Sequence, residues 1–220
     1  MEKIILFGNG QVAEASYLRF LHDPSYQVVA FTVDQDFITD EEKFELPVVP
    51  FETIQSIYSP ADFKLHISIS YRKVNQLRAE KYMEAKAKGY QLVSYISPHA
   101  DLNPGVVIGE NCVIGSHTII DAGVQIGNNI TIASGIVIGH HTSIGDHCFI
   151  SAGATIAGSV TLEPYCFIGT GAIIRDRLKV RESSVVGAGA LILEDTEASG
   201  VYLGRQAQKL SITSDQLPLG

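Results

Sequence analysis

Two adjacent histidines, His140 and His141, stand in a segment that is otherwise apolar, small or lightly polar. They belong to the run Ile-Gly-His-His-Thr-Ser-Ile-Gly-Asp at residues 138–146. An imidazole titrates near neutral pH, so a histidine can take a proton from a reacting group under working conditions. Both are candidate catalytic residues, and a solvated turn residue is the alternative for each.

A second group of candidate residues lies near the N-terminus. Gly8-Asn9-Gly10 follows an apolar, strand-like run, and Asp34 closes the next such run. With Ala13, the glycines have the form of a dinucleotide fingerprint, in which phosphate approaches the N-terminus of a helix. Because residues 1–97 provide only one mononucleotide half, we predict a half-site for a nucleotide-linked ligand. A structural turn and a redox cofactor site are the alternatives.

The tripeptide Tyr71-Arg72-Lys73 follows the third strand-like run, at the carboxyl end where open α/β sheets bind ligands. Arg72 or Lys73 can hold a diphosphate, and Asp34 can bind a ribose or a base. Ordinary salt bridges are the alternative for these charged residues.

These candidates fall in two segments of different composition. Of the 20 glycines, three lie in residues 1–100 and sixteen in residues 101–204. Residues 89–174 contain no Lys or Arg. We therefore place a domain boundary after residue 97, with domains 1–97 and 98–220.

The first segment alternates strand-like and helix-like runs. We predict strands at 3–7, 27–33, 63–70 and 90–96, with helices at 11–22, 51–58 and 74–88. Such alternation predicts a small parallel sheet with crossover helices.

The second segment repeats with a period of six residues. An aliphatic residue recurs at every sixth position from Leu102 to Ile192, often followed by glycine. Neither a helix nor a plain strand has this period, whereas a solenoid does. If three hexads close a triangular coil of 18 residues, the segment makes about five coils stacked by parallel hydrogen bonds. Cys112, Cys148 and Cys166 are then separated by whole coils and face the interior, so we expect packing residues and no metal site.

Composition excludes several partners. The formal net charge is -8 with no basic run, which argues against nucleic acid and against an anionic membrane surface. No apolar run approaches the roughly 20 residues that span a bilayer. The chain opens without the pattern of a secretory leader, and we expect a cytoplasmic protein.

A Rossmann-like domain followed by these hexads resembles the sugar O- and N-acyltransferases of the sialic-acid O-acetyltransferase type. The resemblance covers nearly the whole chain and implies a left-handed parallel β-helix, acetyl-CoA as acyl donor, His140 as general base, and a homotrimer with active sites between neighbouring helices. His141 departs from the pattern, because relatives often carry a carboxylate there; Asp146 is the carboxylate that can instead orient a ring. Phe149 also departs, since some relatives carry a donor-binding histidine at that position; we expect His117 and His147 to be exposed turn residues.

The resemblance also implies the donor site. Gly158 matches a glycine whose N–H lies near the acetyl carbonyl, and it can equally be a plain corner. Gly171 and Gly189 are 18 residues apart and can form a smooth wall for the pantetheine arm. Arg205 and Lys209, in the closing segment, can meet the phosphates of coenzyme A or stay in an exposed tail.

From these features the expected activity is acetyl-CoA-dependent N-acetylation of a UDP- or dTDP-linked amino-dideoxy sugar in bacterial surface-glycan biosynthesis. O-acetylation of a sialic-acid-like or other hydroxyl acceptor is the first alternative, and a non-catalytic β-helix binding module is the second.

Overall fold

The computed structural model describes residues 1–216, so the last four residues of the predicted C-terminal tail lie outside the described part. Short 3₁₀ turns occur at Gln35–Phe37 and Ser214–Gln216. The N-terminal domain comprises β1 (Glu2–Phe7), α1 (Gln11–Leu21), β2 (Tyr26–Val33), β3 (Glu42–Lys43), β4 (Leu46–Pro50), α2 (Ile54–Ile57), β5 (Lys64–Ile67) and α3 (Gln76–Ala87).

These strands form one five-stranded sheet in the order β3-β4-β2-β1-β5, parallel except for the β3–β4 hairpin. Alternate residues of β1 point to opposite faces: Ile4 and Leu6 pack with Phe20 of α1, whereas Ile5 and Phe7 belong to the cluster on the α2 and α3 side. The sheet is therefore covered by helices on both faces, as predicted for a Rossmann-like half domain.

Two predicted elements had the wrong extent, and the strand β4 was not predicted. The helix expected at 51–58 is limited to Ile54–Ile57, and β4 was missed because its two prolines, Pro47 and Pro50, obscure a strand near the edge of the sheet. The strand expected at 90–96 is divided, since Leu92 bridges to β5 while Tyr95–Ile96 already belongs to the second domain.

The second domain is a parallel β-helix with three walls, which we call A, B and C. Wall A contains Asp101–Leu102, Ile119–Ile120, Val137–Ile138, Thr155–Ile156, Ile173–Ile174 and Leu191–Ile192. Wall B contains Val107–Ile108, Gln125–Ile126, Ser143–Ile144, Thr161–Leu162 and Lys179–Val180. Wall C contains Tyr95–Ile96, Val113–Ile114, Thr131–Ile132, Phe149–Ile150, Phe167–Ile168, Val185–Val186 and Val201–Tyr202. The corners are called AB, BC and CA after the walls they join.

The register between coils confirms the 18-residue repeat. Ile120, Ile138 and Ile156 pair in succession along wall A, and each is fully buried. The three cysteines are free and buried, as predicted, and burial raises the pKa of Cys112 to about 11. The interior is thus a column of mostly aliphatic and small side chains.

The N-terminal domain packs onto wall C and corner BC through α3 and the segment before it. Arg78 is 1% exposed and donates from Nη2 to the carbonyl oxygens of Asn129, His147 and Cys148 at 3.0–3.2 Å. At the end of β5, the Ile67 N–H donates to Asn111 Oδ1 at 2.8 Å. These bonds join the domains through buried polar groups. No helix in residues 1–216 combines the length and the apolar character that crossing a membrane requires.

Candidate active site

His140 and His141 lie on corner AB, between the strands Val137–Ile138 and Ser143–Ile144. The His141 N–H donates to Ala122 O at 3.0 Å, and the Ser159 N–H donates to His140 O at 2.8 Å. Bonds to the preceding coil, which we call the coil below, and to the following coil, which we call the coil above, therefore fix the backbone of both histidines. Both side chains are exposed to solvent, as a residue that meets a substrate must be.

The two rings are joined by a hydrogen bond. Nδ1 of His140 lies 3.1 Å from Nδ1 of His141, and the rings meet edge to face with planes at 78°. One Nδ1 must carry a proton and the other must be bare. Within residues 1–216, neither ring forms an ion pair with a carboxylate.

Each ring rests against a glycine of a neighbouring coil. A Cβ on Gly158, in the coil above, would lie 2.8 Å from Cε1 and Nε2 of His140. A Cβ on Gly123, in the coil below, would lie 3.3 Å from Cδ2 of His141. The Gly158 N–H donates to no acceptor in residues 1–216. Gly158 is thus more than a corner residue, because its missing Cβ makes room for the His140 ring.

Other polar residues of the sequence motif lie elsewhere. Asp146 is on corner BC, where its Oδ1 accepts from the Asn128 N–H at 2.6 Å, so it does not orient either ring. His147 was expected to be exposed, but it is buried at corner BC, with Nδ1 2.9 Å from Asn129 Nδ2, and burial lowers its pKa. His117 is exposed, as expected, and stacks on His99.

The N-terminal candidates gather at the carboxyl edge of the sheet. Gly8 directly follows β1 with φ +127°, and a Cβ there would lie 2.8 Å from Ser68 O, so only glycine fits. Asn9 Nδ2 donates to Phe37 O at 2.9 Å, and Gly10 is the exposed residue that precedes α1. Since β2 and β5 lie on opposite sides of β1, this edge is the crevice where such sheets bind ligands.

Asp34 follows β2 at this edge and is ion-paired. Lys81 of α3 places Nζ 2.8 Å from Asp34 Oδ1 and 2.9 Å from Glu84 Oε2. Lys81 also lies 5.8 Å from the ring centroids of Phe7 and Phe51. The salt-bridge alternative for Asp34 is therefore observed, although an ion-paired carboxylate still has lone pairs for a hydroxyl donor.

Tyr71 begins a loop that is held against the β-helix. Its ring lies 5.0 Å from Phe149 and 4.8 Å from Phe167, between ring centroids. Arg72 and Lys73 are exposed and form no salt bridge in residues 1–216.

The residues that follow have positive φ, with values of 52°, 50° and 66° for Lys73, Val74 and Asn75. A β-branched residue such as Val74 is rarely found there. Asn75 donates to the carbonyl oxygens of Tyr165 and Cys166, which fixes the loop. A loop held in this conformation presents Arg72 and Lys73 in a defined place.

The predicted donor residues lie on two different corners. Gly158 is on corner AB, whereas Gly171 and Gly189 are on corner CA with positive φ, and a Cβ added at either would meet no atom of residues 1–216 within 4 Å. Gly204 lies against the carbonyl oxygen of Ala188, which is on corner CA next to Gly189. The next residue, Arg205, is therefore at corner CA as well. Lys209 is exposed further along the tail. The structure therefore unites Gly171, Gly189 and Arg205, but separates them from Gly158 and His140.

Sequence reasoning missed the α3 residues Arg78 and Lys81. They are three residues apart and so lie on one face of the helix. Burial lowers the pKa of Arg78 to about 10. Cationic residues are common on surface helices, so only the packing of α3 distinguishes these two: Arg78 contacts the β-helix, and Lys81 contacts the carboxyl edge of the N-terminal sheet.

Residues 91–191 match the family model described as the GMPPB C-terminal domain, a span that covers most of the β-helix. Among solved structures, the acetyltransferase domain of PglB from Neisseria gonorrhoeae matches with a TM-score of 0.82 at 23% identity, over 96% of this chain and 100% of that chain. PerB from Caulobacter crescentus matches with a TM-score of 0.82 at 24% identity, over 93% and 95% of the two chains.

WeeI from Acinetobacter baumannii matches with a TM-score of 0.79 at 22% identity, over 93% of this chain and 97% of that chain. No curated protein matches the sequence. The structural matches extend over both domains and confirm the predicted fold, a Rossmann-like half domain followed by a left-handed parallel β-helix.

Proposed function

We propose that the protein is an acyltransferase that moves the acetyl group of acetyl-CoA to the amine of a nucleotide-linked amino-dideoxy sugar. The main observation behind the proposal is that an exposed imidazole and a backbone N–H without an acceptor in residues 1–216 lie next to each other on corner AB. His140 Nε2 lies against Gly158, whose N–H has no acceptor in residues 1–216. A base beside an oxyanion donor is what acyl transfer requires.

The geometry suits one sequence of steps. The sugar amine attacks the thioester carbonyl while His140 Nε2 takes the proton that the amine loses. The Gly158 N–H binds the carbonyl oxygen as negative charge develops on it. The C–S bond then breaks, and the departing thiolate takes up the proton from His140. Atoms and charge balance, and the imidazole returns neutral.

The carboxyl edge of the N-terminal sheet is proposed to bind the nucleotide-linked sugar. Gly8, Asn9 and Gly10 would admit the diphosphate, Arg72 and Lys73 would neutralise it, and Asp34 would accept from the ribose or base. The PerB structure contains CoA and GDP-perosamine, and a PglB acetyltransferase-domain structure contains acetyl coenzyme A, which supports both substrate classes. UDP, dTDP and GDP therefore all belong in the test.

The proposed enzyme is a homotrimer that packs through wall A. Corner AB is opposite wall C in the triangular coil, so His140 faces away from the N-terminal domain of its own chain. Four of the six outward residues of wall A are apolar and exposed, Ile119 by 44%, Val137 by 42%, Ile173 by 49% and Leu191 by 59%, and the other two are Asp101 and Thr155. Corners AB and CA border this wall, so cyclic packing would bring His140 of one subunit to Gly171, Gly189 and Arg205 of the next.

The matching chains come from bacteria, which supports the proposed place in bacterial surface-glycan biosynthesis in the cytoplasm. The deciding experiment is release of free thiol from acetyl-CoA with UDP-, dTDP- and GDP-linked amino sugars and with matched hydroxy sugars. We expect turnover on an amine, reduced about 10²–10⁴-fold by His140→Ala. Turnover confined to hydroxy sugars would replace N-acetylation by O-acetylation.

His22→Ala is the matched control for the loss of an exposed histidine. His22 lies in the N-terminal domain at the C-terminal end of α1, opposite the end that begins at Gly10, and it is on neither corner AB nor corner CA. This variant should keep full activity. Equal rates for His140→Ala and His22→Ala would remove His140 from the mechanism, and no turnover on any acceptor would favour a non-catalytic binding module.

The trimer is tested separately by sedimentation. Val137→Glu places a charge on apolar wall A and should give monomers without transfer activity, because the proposed site is shared between subunits. Thr161→Glu makes the equivalent change on polar wall B and should remain trimeric and active. A trimeric, active Val137→Glu protein would overturn the interface.

A further inference from the structure

We infer that His141 is the positioning residue for His140, and that the two imidazoles share one hydrogen bond in place of the histidine–carboxylate pair expected from the sequence resemblance. The inference rests on the proposed function, in which His140 is the base. It is carried by the 3.1 Å contact between the two Nδ1 atoms, together with the lack of any carboxylate ion pair at either ring in residues 1–216.

The direction of this bond decides whether His140 can act. If His140 donates from Nδ1, its Nε2 is bare and can take a proton; if His141 donates, Nε2 of His140 carries a proton and cannot. Nε2 lies against Gly158, whose backbone N–H has no acceptor in the described residues. The proposed role of His140 as base therefore requires that His140 donates from Nδ1 and that His141 accepts.

The bond strengthens during the reaction. When His140 Nε2 takes the amine proton, the ring becomes an imidazolium and its Nδ1–H becomes a charged donor to neutral His141. His141 therefore stabilises protonated His140 in the transition state, where such stabilisation accelerates the reaction. His141 can do this only while its own Nδ1 is bare.

Neighbouring charges do not substitute for a carboxylate partner. On the coil below, Asp121 lies on the same corner, and its Oδ1 accepts from the neighbouring Ala122 N–H at 2.7 Å. Two coils above, Asp176 and Arg177 pair with each other at 3.8 Å. Neither His140 nor His141 bonds to them, so the neutral ring of His141 is the group that fixes His140.

The corner backbone offers a strain-free set of variants. His141 has φ 56°, and the same conformation is held by Ser159 at the equivalent position of the next coil and by Asn111 and Asn129 on corner BC. Serine, asparagine and aspartate are thus all compatible with this backbone. His141→Ser removes the acceptor, His141→Asn keeps a neutral oxygen acceptor, and His141→Asp supplies a fixed negative charge.

Kinetics of these variants test the role. We expect His141→Ser to lower kcat about 10–100-fold, as loss of an orienting partner does, with KM for both substrates unchanged. His141→Asn should recover most of kcat with the native pH profile. His141→Asp should move the acid limb of the kcat/KM profile to higher pH, because a carboxylate stabilises the imidazolium. Native kcat and pH profile in His141→Ser would overturn the inference.

A spectroscopic measurement keeps this result separate from the proposed activity. In long-range ¹H–¹⁵N spectra of ¹⁵N-histidine-labelled protein, assigned with His140→Ala, we expect the native His140 signal to show protonated Nδ1 and bare Nε2. In His141→Ser it should shift towards protonated Nε2, the form that free histidine prefers. A native His140 spectrum that shows protonated Nε2, or one that is unchanged in His141→Ser, overturns the pairing even if no acceptor sugar is found.

Discussion

Substitution of Gly158 by alanine tests whether activity depends on the position of the His140 ring against Gly158. The new Cβ would lie 2.8 Å from Cε1 and Nε2, whereas ordinary contact begins at 3.4 Å, so the ring must move by about 0.6 Å to restore ordinary contact. The backbone accepts the change, since φ of Gly158 is not positive and Ala122 occupies the same corner position two coils below. The perturbation is therefore confined to the imidazole.

A displacement of about 1 Å in a reacting group can cost 10²-fold. We expect Gly158→Ala to lower kcat about 10–100-fold in the thiol-release assay and to leave the melting temperature within about 2 °C of the native value. Gly158→Ala should add nothing in a His140→Ala background, since the ring that it displaces is gone. A single variant with native kcat, or additive losses in the double variant, would refute this account of the site.

Three further predictions concern His66, Gly8 and Arg78. Burial lowers the pKa of His66 to about 4, so below pH 6.5 the unfolded chain takes up a proton that the folded protein does not. The free energy of unfolding should therefore fall by about 3 kcal/mol between pH 6.5 and pH 4. Urea unfolding at several pH values should show this fall in the native protein and not in His66→Gln. Gly8→Ala should abolish nucleotide binding and should lower the free energy of unfolding in urea by about 1–3 kcal/mol, because its Cβ meets Ser68 O. Nucleotide binding that survives the substitution would remove Gly8 from the phosphate site. Arg78→Met should cost about 1–3 kcal/mol by leaving the carbonyl oxygens of Asn129 and His147 unpaired, and a native-like urea midpoint would contradict that.

The β-helix could be predicted from the sequence because each hexad repeats one physical requirement. Ile120, Ile138 and Ile156 must each fill the same interior, so their spacing alone gives the coil length and the register. The N-terminal sheet was predicted less well. Its strand β4, near the sheet edge, carries prolines, and Tyr95–Ile96 satisfies its hydrogen bonds with the β-helix, which local propensity does not reveal.

The candidate site was predicted in its residue types but not in its contacts. His140 and Gly158 were both expected at the site, yet their contact across coils depends on which way each side chain leans from the corner. Asp34 was expected to face a ligand, and its pairing with Lys81 depends on how α3 packs. Pairings between distant elements are set by tertiary packing, and single-sequence patterns carry little information about it.

The 18-residue period does offer one signal of this kind. His140 has a glycine 18 residues after it, Gly158, and its ring rests on the coil above. His141 has a glycine 18 residues before it, Gly123, and its ring lies against the coil below. The two rings therefore lean in opposite directions along the helix axis, and only their Nδ1 edges remain close enough to bond. At these two positions the missing Cβ makes room for the ring, so the glycine one coil after His140 and the glycine one coil before His141 each lie on the side towards which the imidazole leans.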